Sequence, residues 1–170
     1  IQRYGGGTSN QSIYLDDVQC KATDMYLQNC SYQYSAGRFV TLTAGAVTQR
    51  LLAEDANFGP KSLPGALQDV VAIGAVPSNA CGAITNNVTG KIVVVIRGTC
   101  DFVEKTRAVQ KAGGLGVVVV NNVDGDAPSM GNNDEDVTDV MIPTVSITRA
   151  DGAVIASLLN SQSPVLLSIT

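Results

Sequence analysis

The chain contains no histidine and no tryptophan. Losing histidine removes the commonest general base and the commonest metal ligand, and no Ser-His-Asp or Cys-His arrangement can be built without it. A Cys-x-x-Cys pair is also missing. The four cysteines stand as two separated pairs, Cys20 with Cys30 and Cys81 with Cys100, a spacing that does not suit zinc. No apolar run approaches the ~20 residues a membrane-spanning helix requires, so no span is expected in this segment. Positive charge is scarce: 11 Lys and Arg face 15 Asp and Glu, for a net charge of −4. Nucleic acid demands clustered Lys and Arg, so it is not an expected partner. The sequence begins at Ile1 with neither a methionine nor a signal peptide, which implies a removed leader or a segment of something longer.

What is present points to a folded, extracytoplasmic chain. Hydrophobic residues make up 45% and charged residues 15% of the 170 positions, a globular balance with room for one cored domain and a small appendage. Three glycosylation acceptor triplets occur, at Asn10-Gln11-Ser12, Asn29-Cys30-Ser31 and Asn87-Val88-Thr89. Together with paired cysteines they favour an oxidising compartment, the secretory lumen or the cell exterior.

Residues 1–37 differ in texture from the rest, being rich in Gly, Tyr, Gln, Asn and Ser. Ile13-Tyr14-Leu15 is a short strand candidate, and Asp24 to Asn29 one or two helical turns. A Cys20–Cys30 bridge would stabilise a piece too small to fold on its own core. From Arg38 onward apolar runs dominate. Phe39–Leu42 and Val70–Ile73 read as strands, with turn clusters at Asn57–Pro60 and Leu63–Gly65.

The densest signal lies in residues 80–120. An apolar strand, Ile92–Ile96, enters a tight Arg97-Gly98-Thr99-Cys100 turn, and Cys81 sits where it could tie back to Cys100. Asp101 followed by Glu104 forms a capping box for a helix that Gly113-Gly114 should stop. Phe102, Thr106, Val109 and Gly113 share one face, with Glu104, Lys105, Arg107 and Lys111 expected off it. A second strand, Val117–Val120, follows, so the two strands should be parallel. Gly113-Gly114-x-Gly116 follows a helix, whereas a dinucleotide fingerprint must open one, so that reading fails. The pattern recurs in Val145–Ile147, a helix capped by Thr148 and Asp151, and a last strand at Val165–Ile169. Between the two units lies an acidic loop, Val123 to Asp139.

These residues resemble a protease-associated (PA) domain over about Phe39 to Thr170. The carrying pieces are Phe58-Gly59-Pro60, Ala75-Val76-Pro77 ahead of Cys81, and Gly90-Lys91-Ile92-Val93-Val94-Val95. Next come Arg97-Gly98-x-Cys100-x-Phe102-x-x-Lys105 and Gln110-x-Ala112-Gly113-Gly114, then Ile142-Pro143-x-Val145 and Asp151-Gly152. The resemblance implies an α+β fold, a β-barrel-like sheet flanked by short helices. It also implies a lid, spacer or peptide-binding module that is not itself an enzyme. Residues 1–37 are similar to the second half of a scavenger-receptor cysteine-rich (SRCR) domain, through Ile13-x-Leu15-Asp16-Asp17-Val18-x-Cys20 and Leu27-x-x-Cys30. They would form a small disulfide-closed appendage before the domain at 38–170.

In sorting receptors with this domain the arginine-glycine-x-cysteine loop helps bind a cargo peptide, a role the resemblance would carry onto Arg97, Gly98, Thr99 and Cys100. The same residue types are also explained by turn chemistry alone, with Arg97 capping a strand end and Gly98 making the turn. Asp124, Asp126, Asp134 and Asp136 offer oxygen ligands that could hold calcium, without the spacing of an EF-hand. No motif supports a Ser–Lys dyad or a carboxylate pair for glycoside hydrolysis. The expected function is therefore a non-catalytic interaction module for a protein or peptide, with no cofactor. The alternative is a structural subunit of a secreted glycoprotein assembly, joined through the N-terminal arm by strand addition.

Overall fold

The computed structural model describes residues 16–19, 31–33, 38–61, 67–161 and 164–170. The chain divides into two compact units, Ile1–Gly37 and Arg38–Thr170. In the first, β1 (Asp16–Gln19) and β2 (Ser31–Gln33) pair antiparallel. The strand expected at Ile13–Leu15, the turns expected from Asp24, the Cys20–Cys30 bridge and the triplets at Asn10 and Asn29 lie outside the described residues. The Leu63–Gly65 turn does too.

The second unit holds seven further strands: β3 (Arg38–Ala44), β4 (Val47–Asp55), β5 (Leu67–Gly74), β6 (Ile92–Ile96), β7 (Gly116–Val120), β8 (Thr144–Ile147) and β9 (Leu166–Ile169). They close a barrel in the order β3-β4-β8-β7-β6-β5-β9. Two helices accompany them, α1 (Phe102–Lys111) and α2 (Arg149–Leu159), so the architecture is α+β.

Local sequence explains most elements. β3 alternates, with Val40, Leu42 and Ala44 buried, the signature of a strand covered on one face. It turns at Gly45-Ala46 into β4, pairing from Ala44 with Val47 to Arg38 with Ala53. Arg38 grips Asp55 with two bonds of 2.9 Å across the hairpin base. The β6 and β7 sequences, Ile-Val-Val-Val-Ile and Gly-Val-Val-Val-Val, do not alternate because both faces are covered. Ile92 and Val118 face one core with Leu42, Leu167 and Ile155. Val93, Val95, Val117 and Val119 face a second core built with Val103 and Val109 of α1.

Both helices start as their caps dictate. Glu104 accepts from the Asp101 N–H at 3.2 Å, the reciprocal arm of a capping box. Thr148 accepts from the Asp151 N–H at 3.1 Å. The α1 face, however, differs from the expected one. Val103, Lys105, Thr106 and Val109 are its buried residues, while Phe102 is only half-buried and Gly113 is exposed. Lys105, assigned by periodicity to the outer side, has 0% exposure. The reason is polar: backbone carbonyls wait for its ammonium inside.

Candidate functional site

Strands β5, β6, β7 and β8 run parallel to one another. Their C-terminal ends therefore share one end of the barrel, and the segments leaving them form a continuous rim. The Ile96 N–H donates to Ser78 O at 2.8 Å, joining the segment after β5 to the end of β6. Arg97 Nη1 donates to Asn121 Oδ1 at 3.1 Å, joining those after β6 and β7. Arg149 Nη1 reaches Asp124 Oδ1 at 3.4 Å, joining the β7 segment to α2. The Arg97–Cys100 turn stands in the middle of this rim.

Three features fix that turn. Cys81 and Cys100 form a disulfide with Cα atoms 5.7 Å apart, so this pair is joined as the sequence suggested. The Lys105 ammonium lies beneath. It donates to Asn79 O and Gly98 O at 2.7 Å each and approaches Cys81 Sγ at 3.3 Å and Cys100 Sγ at 3.6 Å. Burial pushes the Lys105 pKa below the ordinary lysine value, and the neighbouring Glu104 carboxylate partly opposes it. Third, the Gly98 carbonyl turns inward to the ammonium, with Gly98 at φ +105°. The next residue, Thr99, is exposed and held at φ +75°. A β-branched residue pays for that conformation, and the disulfide and lysine below it supply the constraint. Replacing Cys81 and Cys100 together by alanine is expected to cost about 2–4 kcal/mol by loop-closure reasoning, read as a lower denaturant midpoint. An unchanged midpoint would contradict the bracing role.

Arg97 is half-buried. Beyond the bond to Asn121 its guanidinium has no side-chain partner among the described residues. Asn121 is the buried hub of the rim: its Nδ2 donates to Asp126 O at 2.8 Å, and its Oδ1 accepts from Arg97. Three apolar side chains stand exposed on the same rim, Val76 at 52%, Ile96 at 43% and Val123 at 52%. Sequence reasoning missed Asn121, the depth of Lys105 and this apolar trio. The only signal was that Ile96 ends a valine-rich strand, and Val123 follows another by three residues, past the point where burial ends.

One arginine gathers the later part of the acidic loop. Arg107 on α1 binds Asp139 through Nε and Nη2 at 2.8 Å each, Glu135 Oε2 at 2.8 Å and Asp136 O at 2.6 Å. Gln110 donates to Asp139 O at 2.9 Å and accepts from the Met141 N–H at 2.7 Å. The Arg107 hydrogen bond holds the Asp139 carboxyl below its ordinary range, and the Thr138 N–H does the same for Asp136. Asp124 faces Arg149, and Asp134 sits in a turn at φ +61°. Among the described residues no group of three or more His, Cys, Asp or Glu side chains is placed to hold a metal ion. No helix among them is long and apolar enough to cross a membrane.

Residues 66–155, more than half of the chain, match the PA domain family. A Xenopus laevis "ER degradation-enhancing alpha-mannosidase-like protein 3" is 37% identical over 131 residues, covering 69% of this chain and 14% of that protein. A "Probable leucine aminopeptidase 2" of Trichophyton verrucosum is 29% identical, covering 93% of this chain and 31% of that protein. The chain thus spans less than a third of either relative. Among solved structures, a zinc aminopeptidase from Bacillus subtilis superposes with a TM-score of 0.57 at 20% identity, over 79% of this chain and 30% of that one. That likeness shows a shared fold.

Proposed function

The chain belongs to the PA domain family, and on that premise we propose that it is a non-catalytic interaction module of the secretory lumen or cell exterior. It binds a protein or peptide partner over the rim that carries Arg97, Gly98, Thr99 and Cys100. The observation that carries this reading is Thr99: an exposed residue in a disfavoured backbone conformation, held there by a disulfide and a buried ammonium. Strain of that kind is maintained where a surface must be presented in one shape. The exposed trio Val76, Ile96 and Val123 adds apolar area beside a partly free guanidinium, the combination that interface cores favour.

Two further facts support the reading. The matched region is common to proteins named as a mannosidase-like protein and as an aminopeptidase, so it fits a part that serves different chemistries without performing them. The Cys81–Cys100 bridge suits an oxidising compartment, as does the endoplasmic-reticulum role printed in the name of the first relative. The SRCR-like reading of residues 1–37 is kept as part of the proposal, for an arm that precedes the barrel.

The test uses peptides selected from a displayed random library on the wild-type chain. Arg97→Ala should weaken the selected peptides about tenfold or more, equivalent to about 1.4 kcal/mol, while the chain stays folded by circular dichroism. Retained affinity would remove the loop from the mechanism. Assembly remains a second reading because of β4. Its other edge meets β8 only at Glu54 and Asp55, leaving Val47 to Ala53 without a second strand partner among the described residues. Sedimentation at high concentration separates the two, since discrete monomers count against assembly.

A further inference from the structure

We propose that Asn87 is an N-glycosylation site and that its glycan covers the uncharged surface segment from Ala80 to Gly90. The proposal rests on the secretory placement argued above. The fold treats the adjacent residues Asn86 and Asn87 in opposite ways. Asn86 is consumed: its Oδ1 accepts from the Val76 N–H at 2.9 Å and its Nδ2 donates to Gly74 O at 2.8 Å, pinning the end of β5. Asn87 is exposed. Its Oδ1 accepts from the Thr89 N–H at 3.1 Å, and its Nδ2 has no hydrogen-bond partner among the described residues. A sugar replacing one hydrogen of that amide displaces no contact.

The triplet is anchored so that the amide stays presented. Val88, its middle residue, is 1% exposed and packs into the core behind α1. Thr89 lies exposed with its hydroxyl toward Ala112 O at 3.4 Å. Lys91 Nζ donates to Asn87 O at 2.9 Å and fixes the backbone from the other side. Exposed Asn87, buried Val88 and exposed Thr89 form the arrangement that lets a bulky modification sit on a folded turn.

The surroundings give the glycan a purpose. From Ala80 to Gly90 no residue carries a charge, yet Gly82, Ala83, Thr85, Asn87, Thr89 and Gly90 are all exposed. An irregular, neutral surface segment lacks the charge that normally keeps such a surface soluble, and a hydrophilic glycan supplies that property. Chemically, the Asn87 amide nitrogen forms a bond to the anomeric carbon of an oligosaccharide carried on a polyprenyl diphosphate. The bond from that carbon to the diphosphate oxygen breaks, the amide gives up one proton, and the polyprenyl diphosphate departs.

The experiment directs the full chain through a eukaryotic secretory route behind a cleavable leader and reads intact mass and a glycopeptide map. The wild type and Thr89→Ser should carry a glycan on the peptide containing Asn87, releasable by an N-glycosidase that converts the asparagine to aspartate. Asn87→Gln and Thr89→Ala should each lose that increment while keeping the disulfide and the circular-dichroism spectrum. A wild-type chain whose Asn87 peptide is unmodified, with or without glycans at Asn10 or Asn29, overturns the proposal. The outcome is separable from the binding reading. An unmodified Asn87 leaves the Arg97→Ala result standing, and a glycosylated chain indifferent to Arg97→Ala fails only the rim.

Discussion

Replacing Lys105 with methionine should lower the unfolding free energy by about 3 kcal/mol. The side chain is 0% exposed and its ammonium serves the carbonyls of Asn79 and Gly98 at 2.7 Å each. Methionine keeps the approximate volume and removes the donor, so two interior acceptors lose their partner. Bonds from charged donors contribute about 1.5–3 kcal/mol each, and a buried acceptor left unpaired costs about 1–3 kcal/mol. The lysine's own desolvation cost offsets part of that loss, which keeps the expected figure near that of one bond. Chemical denaturation checks it, and a change below about 1 kcal/mol would mean that water replaces the ammonium without penalty.

The same residue sets a pH dependence. Its folded pKa lies below the ordinary value of 10.5, so between the two values the unfolded chain binds more protons than the folded one. Stability contributed by this group therefore rises with pH across that interval and is constant below it. Lys105→Met should flatten this slope in alkaline unfolding measurements.

Gly152→Ala should cost about 2–3 kcal/mol, at the upper part of the range for overpacked cores. A methyl placed there would lie 2.0 Å from Val120 Cγ1, 2.8 Å from Cγ2 and 2.9 Å from Cβ. Valine has no flexible end to swing aside, so α2 must lift from β7. Lifting it would withdraw Ile155, fully buried, from the barrel core. Adding Val120→Ala to Gly152→Ala should recover part of the loss, because the two side chains compete for one space. If the pair is simply additive, the helix is held by something other than this close approach. The Asp151-Gly152 pair thus has two separate causes, a cap and a contact distance.

How far such features can be read from sequence depends on whether their causes are local. The Ile92–Val120 unit was legible because each boundary is set by nearby residues: apolar runs for β6 and β7, Asp101 and Glu104 for the start of α1, Gly113 for its stop. β4 was not. Its first four residues, Val47 to Arg50, are all exposed, so the alternation that betrays a strand survives only at Leu51 and Ala53. The barrel was expected from the family resemblance and not from local pattern, since closure depends on pairings such as Val40 with Ile169. The burial of Lys105 was hidden for the same reason. One of its two carbonyl partners, Asn79 O, lies 26 residues earlier in the chain, and helical periodicity alone sends a lysine outward. For the site, the turn and its disulfide were visible in the residues, while the hub at Asn121 and the apolar rim were products of strands meeting.

The position of β9 has a consequence in time. It lies between β3 and β5, paired antiparallel with both, and it is the last strand of the barrel to be synthesised. Until Leu166 to Ile169 emerge, β3 and β5 each present an unsatisfied edge, and edges of that kind recruit other chains. A nascent chain folds its earlier parts first, so this barrel must wait half-open with its valine-rich interior accessible. Ribosome-stalled chains ending before Leu166 should accordingly bind chaperones, and chains extended past Thr170 should release them.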